Sequence, residues 1–138
     1  VALPAQEYRI SYTLHYPQIK TIGSQYHSVT INQENFTNEL SPCRTFALYN
    51  ELKMLMDADL IKGGSLDNAV VVDQEAIFTK EGLRFPNEMV RHKILDVVGD
   101  LALVGFSFQA HIICICSGHS TNVAFAKKIL NHITMEKH

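Results

Sequence analysis

The sequence predicts an α+β fold: a mixed, mainly antiparallel sheet with two main helices layered on one face and a β-α-β insert. Three observations support this. Residues 9–16 alternate apolar and polar side chains, as a half-buried strand does. Residues 69–72 are continuously apolar and mostly β-branched, which is typical of a buried strand. Residues 89–101 repeat apolar side chains at helical spacing, so they are predicted to form an amphipathic helix.

The N-terminal region is expected to contain a linker, a hairpin and a short helix. Residues 1–8 have few apolar anchors, which favours a linker. Residues 9–16 and 26–31 are predicted strands that pair antiparallel. Asn32 is a plausible N-cap for a short helix that runs to Leu40.

The insert is predicted at about residues 44–73. An extended piece at 43–46 leads into a helix whose apolar residues lie between positions 48 and 56. A Gly-Gly turn, which tolerates positive φ angles, then precedes the apolar strand at 69–72. The order strand, helix, strand is typical of a β-α-β unit.

The C-terminal half of the chain is expected to hold shorter strands and the two main helices. Residues 76–78 and 83–85 are predicted to form a strand and a return strand on either side of a glycine turn. The other expected features are an N-cap at Asn87, a strand at 109–116, a last helix capped by Ser120 or Thr121, and a frayed tail at 136–138.

Length and composition exclude several classes of protein. The chain has 138 residues, 46% of them hydrophobic, so one domain or two small lobes are expected. The net charge of -2 argues against nucleic-acid binding. No apolar run is long enough for a transmembrane segment. The chain begins with Val1 and without a signal-peptide pattern, so we expect a fragment or a processed piece.

The three cysteines are expected to be reduced. Cys114 and Cys116 would point to the same face of one strand, a geometry that opposes a disulfide between them. Cys43 would then have no partner. Free thiols predict a cytoplasmic protein.

The predicted helix at 89–101 carries polar residues that could bind a metal. His92, Asp96 and Asp100 are spaced four apart and therefore stack on one helix face. An imidazole and a carboxylate one turn apart can hold one zinc ion at about 2.0–2.2 Å each, and a third acid can orient a neighbouring group. The spacing alone also fits an ordinary helix whose polar residues border its buried face.

Five segments in the same order resemble one enzyme family. They are Gly63-Gly64-Ser65-Leu66-Asp67-Asn68, Gly82-Leu83-Arg84-Phe85, Arg91-His92-Lys93-Ile94-Leu95-Asp96, Gly99-Asp100-Leu101 and Ser117-Gly118-His119. Together they resemble the C-terminal half of the UDP-3-O-acyl-N-acetylglucosamine deacetylases, zinc amidases of lipid A biosynthesis in Gram-negative bacteria. The resemblance is clear over residues 42–130 and looser over residues 1–41.

The resemblance implies specific catalytic roles. His92 and Asp96 would be zinc ligands, while the third ligand, a histidine, and the general-base glutamate would come from an N-terminal half absent from this chain. His119 would stabilise the oxyanion and protonate the leaving amine, and Asp100 would orient it. The Thr45 hydroxyl would bond to the polarised carbonyl. Without the resemblance, His119 would be an ordinary capping or solvent-exposed histidine, and Thr45 an ordinary strand residue.

The resemblance also implies substrate contacts. Lys93 would contact the sugar or diphosphate, and it lies on a different side of the helix from the neighbouring zinc ligand His92. Phe46 would pack near the sugar. The insert would form a passage for the acyl chain, lined by Leu52, Ile61, Ser65, Ala69 and Val71. A solvated lysine and ordinary core residues remain the alternatives for these positions.

The chain departs from the family pattern at two positions. Cys116 stands where the family often has a lysine that bears on the diphosphate, so nucleotide contact is expected to be weaker or different. Ala110 stands where the family has a glycine, and the additional methyl group of alanine is expected to narrow the space beside the site. His111, close by, faces either the core or the cleft.

Three functions follow as hypotheses. The first is half of a zinc deacetylase acting on UDP-3-O-acyl-N-acetylglucosamine, inactive as an isolated chain and monomeric once joined to its N-terminal half. The second is a non-catalytic module of the same fold that binds an acyl chain or a nucleotide sugar. The third is a zinc hydrolase completed by homodimerisation.

Overall fold

The computed structural model describes residues 1–58 and 66–135. The strands are β1 (Ala2–Pro4), β2 (Arg9–Tyr16), β3 (Gly23–Thr30), β4 (Thr45–Leu48), β5 (Ala69–Val72), β6 (Ile77–Phe78) and β7 (Ala110–Ile115). The helices are α1 (Gln33–Asn35), continued by a π-helical segment (Phe36–Leu40), then α2 (Tyr49–Asp57), α3 (Glu88–Ala102) and α4 (His119–Met135). This mixture confirms the predicted α+β class.

The larger sheet has the strand order β1-β7-β2-β3. The predicted hairpin is confirmed, because β2 and β3 pair antiparallel from Arg9–Thr30 to Tyr16–Gly23. β7 lies parallel to β2 and antiparallel to β1. The sheet is therefore mixed, with its one parallel pair between strands far apart in sequence.

The prediction of a linker at residues 1–8 is wrong for its first part. Ala2–Pro4 pairs with β7, and main-chain hydrogen bonds between Val1 and Ile113 extend the pairing at 2.9 and 2.8 Å. All three residues of β1 are exposed. An exposed edge strand held by its backbone shows no apolar alternation, so the sequence gives no sign of it.

The insert forms a second sheet with the order β4-β5-β6. β4 and β5 are parallel and α2 follows β4, which confirms the β-α-β unit. The predicted return strand at residues 83–85 is wrong, because this segment has no strand structure. Its backbone is bonded elsewhere: the Arg84 N–H donates to Glu88 Oε2 at 2.7 Å.

The core lies between the larger sheet and α3. Val90, Ile94, Val97 and Leu101 form the buried stripe of α3, as the helical spacing predicts. They pack in one cluster with the apolar face of β2, and α4 packs against α3. No helix within the described ranges is long and apolar enough to cross a membrane.

The helix starts differ from the predicted caps. α4 begins at His119, and Thr121 lies inside its first turn. The Thr121 hydroxyl accepts from the Gly118 N–H at 2.9 Å, which makes Gly118 the capping position instead of Ser120 or Thr121. Asn87 does precede α3, but its side chain accepts from Arg91 Nε at 2.7 Å and caps no backbone group.

Candidate active site

A cavity of about 570 Å³ brings together six of the twelve predicted site residues. Its walls come from β2, β4, α3 and the turn before α4. The predicted site residues that line it are Thr45, Phe46, His92, Lys93, Asp96 and His119. The fold therefore gathers side chains that lie more than seventy positions apart.

His92 and Asp96 face the cavity from one side of α3. His92 Nε2 lies 3.3 Å from Asp96 Oδ1, and both side chains are largely buried. His92 Nδ1 lies 3.2 Å from the Cys43 carbonyl oxygen. Because a carbonyl only accepts, Nδ1 carries the proton of this bond, and in the neutral ring the Nε2 lone pair faces the cavity.

These two residues fit a zinc ion. Two ligand atoms that each lie about 2.0–2.2 Å from a tetrahedral metal are roughly 3.3–3.6 Å apart. The separation of His92 Nε2 and Asp96 Oδ1, 3.3 Å, falls at the start of that range. The carbonyl behind the imidazole is the partner that commonly fixes the orientation of a metal-binding histidine.

Asp96 is held in its charged form. Burial raises the pKa of this carboxyl, but the Lys93 ammonium and the His92 ring in its protonated form outweigh burial and lower the pKa to about 2. Lys93 Nζ donates to Asp96 Oδ2 at 2.8 Å. Lys93 thus lines the same cavity as His92.

His119 is oriented by Asp100, which is itself held by Asn122. Its Nδ1 lies 2.9 Å from Asp100 Oδ2, and that oxygen also accepts from Asn122 Nδ2 at 2.9 Å. His119 Nε2 lies 3.8 Å from Asp96 Oδ1. The ring is 68% exposed, so a ligand in the cavity can reach it.

The predicted substrate residues are divided between the cavity and the insert. Phe46 packs edge-on against Tyr16, with ring centroids 6.1 Å apart, where both line the cavity. Leu52, Ala69 and Val71 are half-buried in the insert and are not among the residues that line the cavity. The other two predicted passage residues, Ile61 and Ser65, fall outside the described residues.

The positions that depart from the family pattern lie in different places. Cys116 follows β7 with a φ of 47° and lines the cavity, so the expectation that it shares a strand face with Cys114 is wrong. Cys43, Cys114 and Cys116 are all free, as expected. His111 is bonded to Ser11 Oγ at 2.7 Å, away from the cavity, and Ala110 packs against the core.

Sequence reasoning missed several groups that shape the site. The Tyr12 hydroxyl donates to the Ser117 carbonyl and fixes the turn before His119. Burial is the main cause that raises the pKa of Tyr12 to about 12. Alternation placed Tyr12 on the apolar face of its strand, but no signal identified its main-chain acceptor. Asn122, one turn into α4, likewise carried no signal.

Within the described ranges, no group of three or more His, Cys, Asp or Glu side chains could hold a metal ion. His92 and Asp96 are two candidate ligands and do not make a complete site on their own. A catalytic zinc site uses three protein ligands and leaves one position open. A complete site of that kind needs at least one ligand in addition to this pair.

Comparisons with known proteins agree on one family. The family model for UDP-3-O-acyl N-acetylglycosamine deacetylase (LpxC) matches residues 1–131. The chain is 58% identical to the UDP-3-O-acyl-N-acetylglucosamine deacetylase of Chlamydia pneumoniae over 97% of this chain and 48% of that protein. It is 52% identical to the protein of the same name from Chlamydia trachomatis serovar D, over 99% of this chain and 48% of the relative. The chain spans about half the length of the curated relatives it matches.

Proposed function

The chain belongs to the UDP-3-O-acyl N-acetylglycosamine deacetylase family, and from this we propose that it is the C-terminal half of a zinc-dependent amidase. The proposed reaction removes acetate from UDP-3-O-acyl-N-acetylglucosamine in lipid A biosynthesis. The observation that carries the proposal is the facing pair His92 Nε2 and Asp96 Oδ1, 3.3 Å apart in a cavity that also holds His119.

His92 and Asp96 would hold the zinc ion. His92 can offer Nε2 because its Nδ1 proton is engaged by the Cys43 carbonyl, and Asp96 offers a carboxylate that is ionised at neutral pH. Bound zinc supplies Lewis acidity, lowering the pKa of a bound water to about 7 and polarising an amide carbonyl. Lys93, bonded to the second oxygen of Asp96, keeps that carboxylate oriented.

His119 would serve as the proton donor. Its Nδ1 is engaged by Asp100, which leaves Nε2 directed toward Asp96 and the cavity. A proton held at Nε2 can stabilise negative charge on the reacting carbonyl oxygen and then pass to the leaving amine. Such positioned acids contribute about 10²–10⁴-fold to a rate.

The remaining contacts would position the substrate. Thr45 and Phe46 lie on β4 at the cavity, where a hydroxyl and an aromatic ring can meet the carbonyl and the sugar. Lys93 supplies positive charge for the sugar or diphosphate. For the acyl passage we retain the insert residues named from the sequence: Leu52, Ile61, Ser65, Ala69 and Val71.

The general base and the third zinc ligand would come from the other half of the enzyme. The relatives are about twice as long as this chain, which supports a second half of similar size. We propose that the joined protein acts as a cytoplasmic monomer. The three free cysteines support the compartment.

The first experiment is zinc binding by the chain in a competition titration. Saturable binding is expected, and His92→Ala and Asp96→Ala should each weaken it. Lys127→Ala, on the exposed side of α4, is the matched control and should bind like the unchanged chain. Equal affinity in all four proteins would contradict the ligand assignment.

The second experiment tests the reaction. The chain is joined to the N-terminal half of the Chlamydia pneumoniae relative, and acetate release from UDP-3-O-acyl-N-acetylglucosamine is measured with and without zinc. Release is expected from the joined protein and not from the 138-residue chain. Zinc-dependent release by the chain alone would refute the half-enzyme proposal, and binding without release by the joined protein would favour a non-catalytic module.

A further inference from the structure

A buried ion pair connects α3 to the segment that enters β4. The Glu88 side chain is 0% exposed and that of Arg44 is 4% exposed. Glu88 Oε1 accepts from both the backbone N–H and Nε of Arg44 at 2.9 Å. Glu88 Oε2 accepts from Arg44 Nη2 at 3.1 Å and from the Arg84 N–H at 2.7 Å. Both carboxylate oxygens are therefore fully engaged.

The same pair attaches a third segment. Arg44 Nη2 donates to the Gly82 carbonyl at 2.7 Å, and Arg84 Nη1 donates to the Pro42 carbonyl at 2.6 Å. Residues 82–85 are one of the five segments that carry the family resemblance, yet none of them lines the cavity. Their contacts indicate a structural role, because they bond to the Arg44 side chain and to the nearby Pro42 carbonyl.

The neighbours of Arg44 are both site groups. Cys43 supplies the carbonyl that accepts from His92 Nδ1, and Thr45 lines the cavity. Glu88 and His92 are one turn apart on α3. The helix and the segment 43–45 are thus joined by two successive contacts, Glu88 with Arg44 and His92 with Cys43.

We infer that the Arg44–Glu88 pair is a positioning device for the metal site, an inference that rests on the proposed function. By fixing residues 43–45 against α3, it holds the Cys43 carbonyl where it keeps the proton of His92 on Nδ1 and the Nε2 lone pair toward Asp96. It also sets the position of the Thr45 hydroxyl. A buried ion pair adds little stability over a packed apolar pair, so its contribution here is geometric.

The inference predicts a change at His92 when the pair is altered. Glu88→Gln retains the shape of the side chain but presents an amide N–H₂ where an oxygen accepts now. The segment can then shift, and the Cys43 carbonyl no longer selects one tautomer. Loss of such a partner of a metal-binding histidine typically weakens metal affinity about 10–100-fold.

The test uses the chain joined to the N-terminal half of the Chlamydia pneumoniae relative. Zinc affinity is measured by competition, and the tautomer of His92 is read from the ¹⁵N shifts of its ring in the zinc-free protein. We expect Glu88→Gln to raise the zinc Kd about 10–100-fold and to give a mixture of tautomers. Arg44→Lys, which keeps the charge but loses the forked contact, should show a smaller change in the same direction.

Ile112→Val is the matched control, because Ile112 is a fully buried core residue of β7 whose truncation lowers stability without touching the pair. It should leave the zinc Kd and the tautomer unchanged. If Glu88→Gln does not fold, Arg44→Lys decides the question alone. Unchanged Kd and tautomer in a folded variant would overturn the inference. Absence of deacetylation by the unaltered joined protein would instead overturn the proposed function, and the tautomer result would still stand.

Discussion

Deleting the Glu88 carboxylate should destabilise the fold severely. In Glu88→Ala, the Arg44 guanidinium would stay buried, with the Gly82 carbonyl as an acceptor but without its counter-charge. The N–H groups of Arg44 and Arg84 would lose their acceptor as well. Breaking a buried ion pair by removing one partner costs about 3–5 kcal/mol. We expect a loss of that size in the free energy of unfolding of the chain.

Replacing both partners should cost much less than the two single changes together. Arg44→Met removes the buried charge and keeps an unbranched side chain, so the double variant Arg44→Met with Glu88→Ala leaves no isolated charge. Contacting residues show coupling energies of about 0.5–3 kcal/mol, and we expect the upper part of that range.

The assay is urea unfolding of the four proteins, followed by far-ultraviolet circular dichroism. A cost below about 1 kcal/mol for Glu88→Ala, or single costs that add within about 0.5 kcal/mol, would refute the reasoning.

Four further predictions concern stability. Gly99→Ala should stabilise the chain by about 0.5–1 kcal/mol, because Gly99 lies inside α3 with open space at its Cβ position. Gly105→Ala should destabilise it by about 1–2 kcal/mol, because φ is +77° there; urea midpoints that shift in the same direction would contradict this pair. Tyr12→Phe should cost about 1–3 kcal/mol, since the partly buried Ser117 carbonyl loses its donor, and an unchanged midpoint would argue against that bond. Finally, burial raises the pKa of the Glu88 carboxyl, but hydrogen bonds from Arg44 and Arg84 outweigh burial and leave it below its ordinary value. Its stabilising contribution is therefore present above the unfolded-state pKa of about 4.3 and is lost as the pH falls through the lower folded-state value. Unfolding free energies measured from about pH 2 to 6 should show this loss in the unchanged chain and not in Glu88→Gln. If the unfolding free energies of the two proteins changed with pH at the same slope, the prediction would be contradicted.

The sequence predicted those elements whose pattern of apolar and polar side chains reflects which of their faces are buried. Alternation located β2, a continuous apolar run located β5, and helical spacing located the buried stripe of α3. β1 was missed because its side chains are exposed and only its backbone is bonded. Residues 83–85 have the composition of a strand, but a carboxylate from the next helix binds the Arg84 N–H that a strand partner would have used.

The site likewise has one part that the sequence pattern predicts and another part that it does not. The four-residue spacing of His92, Asp96 and Asp100 puts them on one helix face, and that much follows from helix geometry alone. The proximity of His119 to this face depends on tertiary structure, and the sequence suggested it only through the family resemblance. The acceptors for His92 and Tyr12 are main-chain carbonyls, the second of them 105 positions away from its donor. Every residue has such a carbonyl, so no side-chain pattern marks these two.

The position of β7 determines when this site can form. β7 lies between β1 and β2, strands that precede it by nearly the whole length of the chain. Pairing strands so far apart in sequence requires the closure of long loops. The entropic cost of that closure arises before the stabilising contacts form, which makes folding slow. Until residues 110–115 have been synthesised and inserted, β2 presents an open edge that invites pairing with other chains. The cavity includes the turn that follows β7, so the site cannot be complete before β7 has joined the sheet.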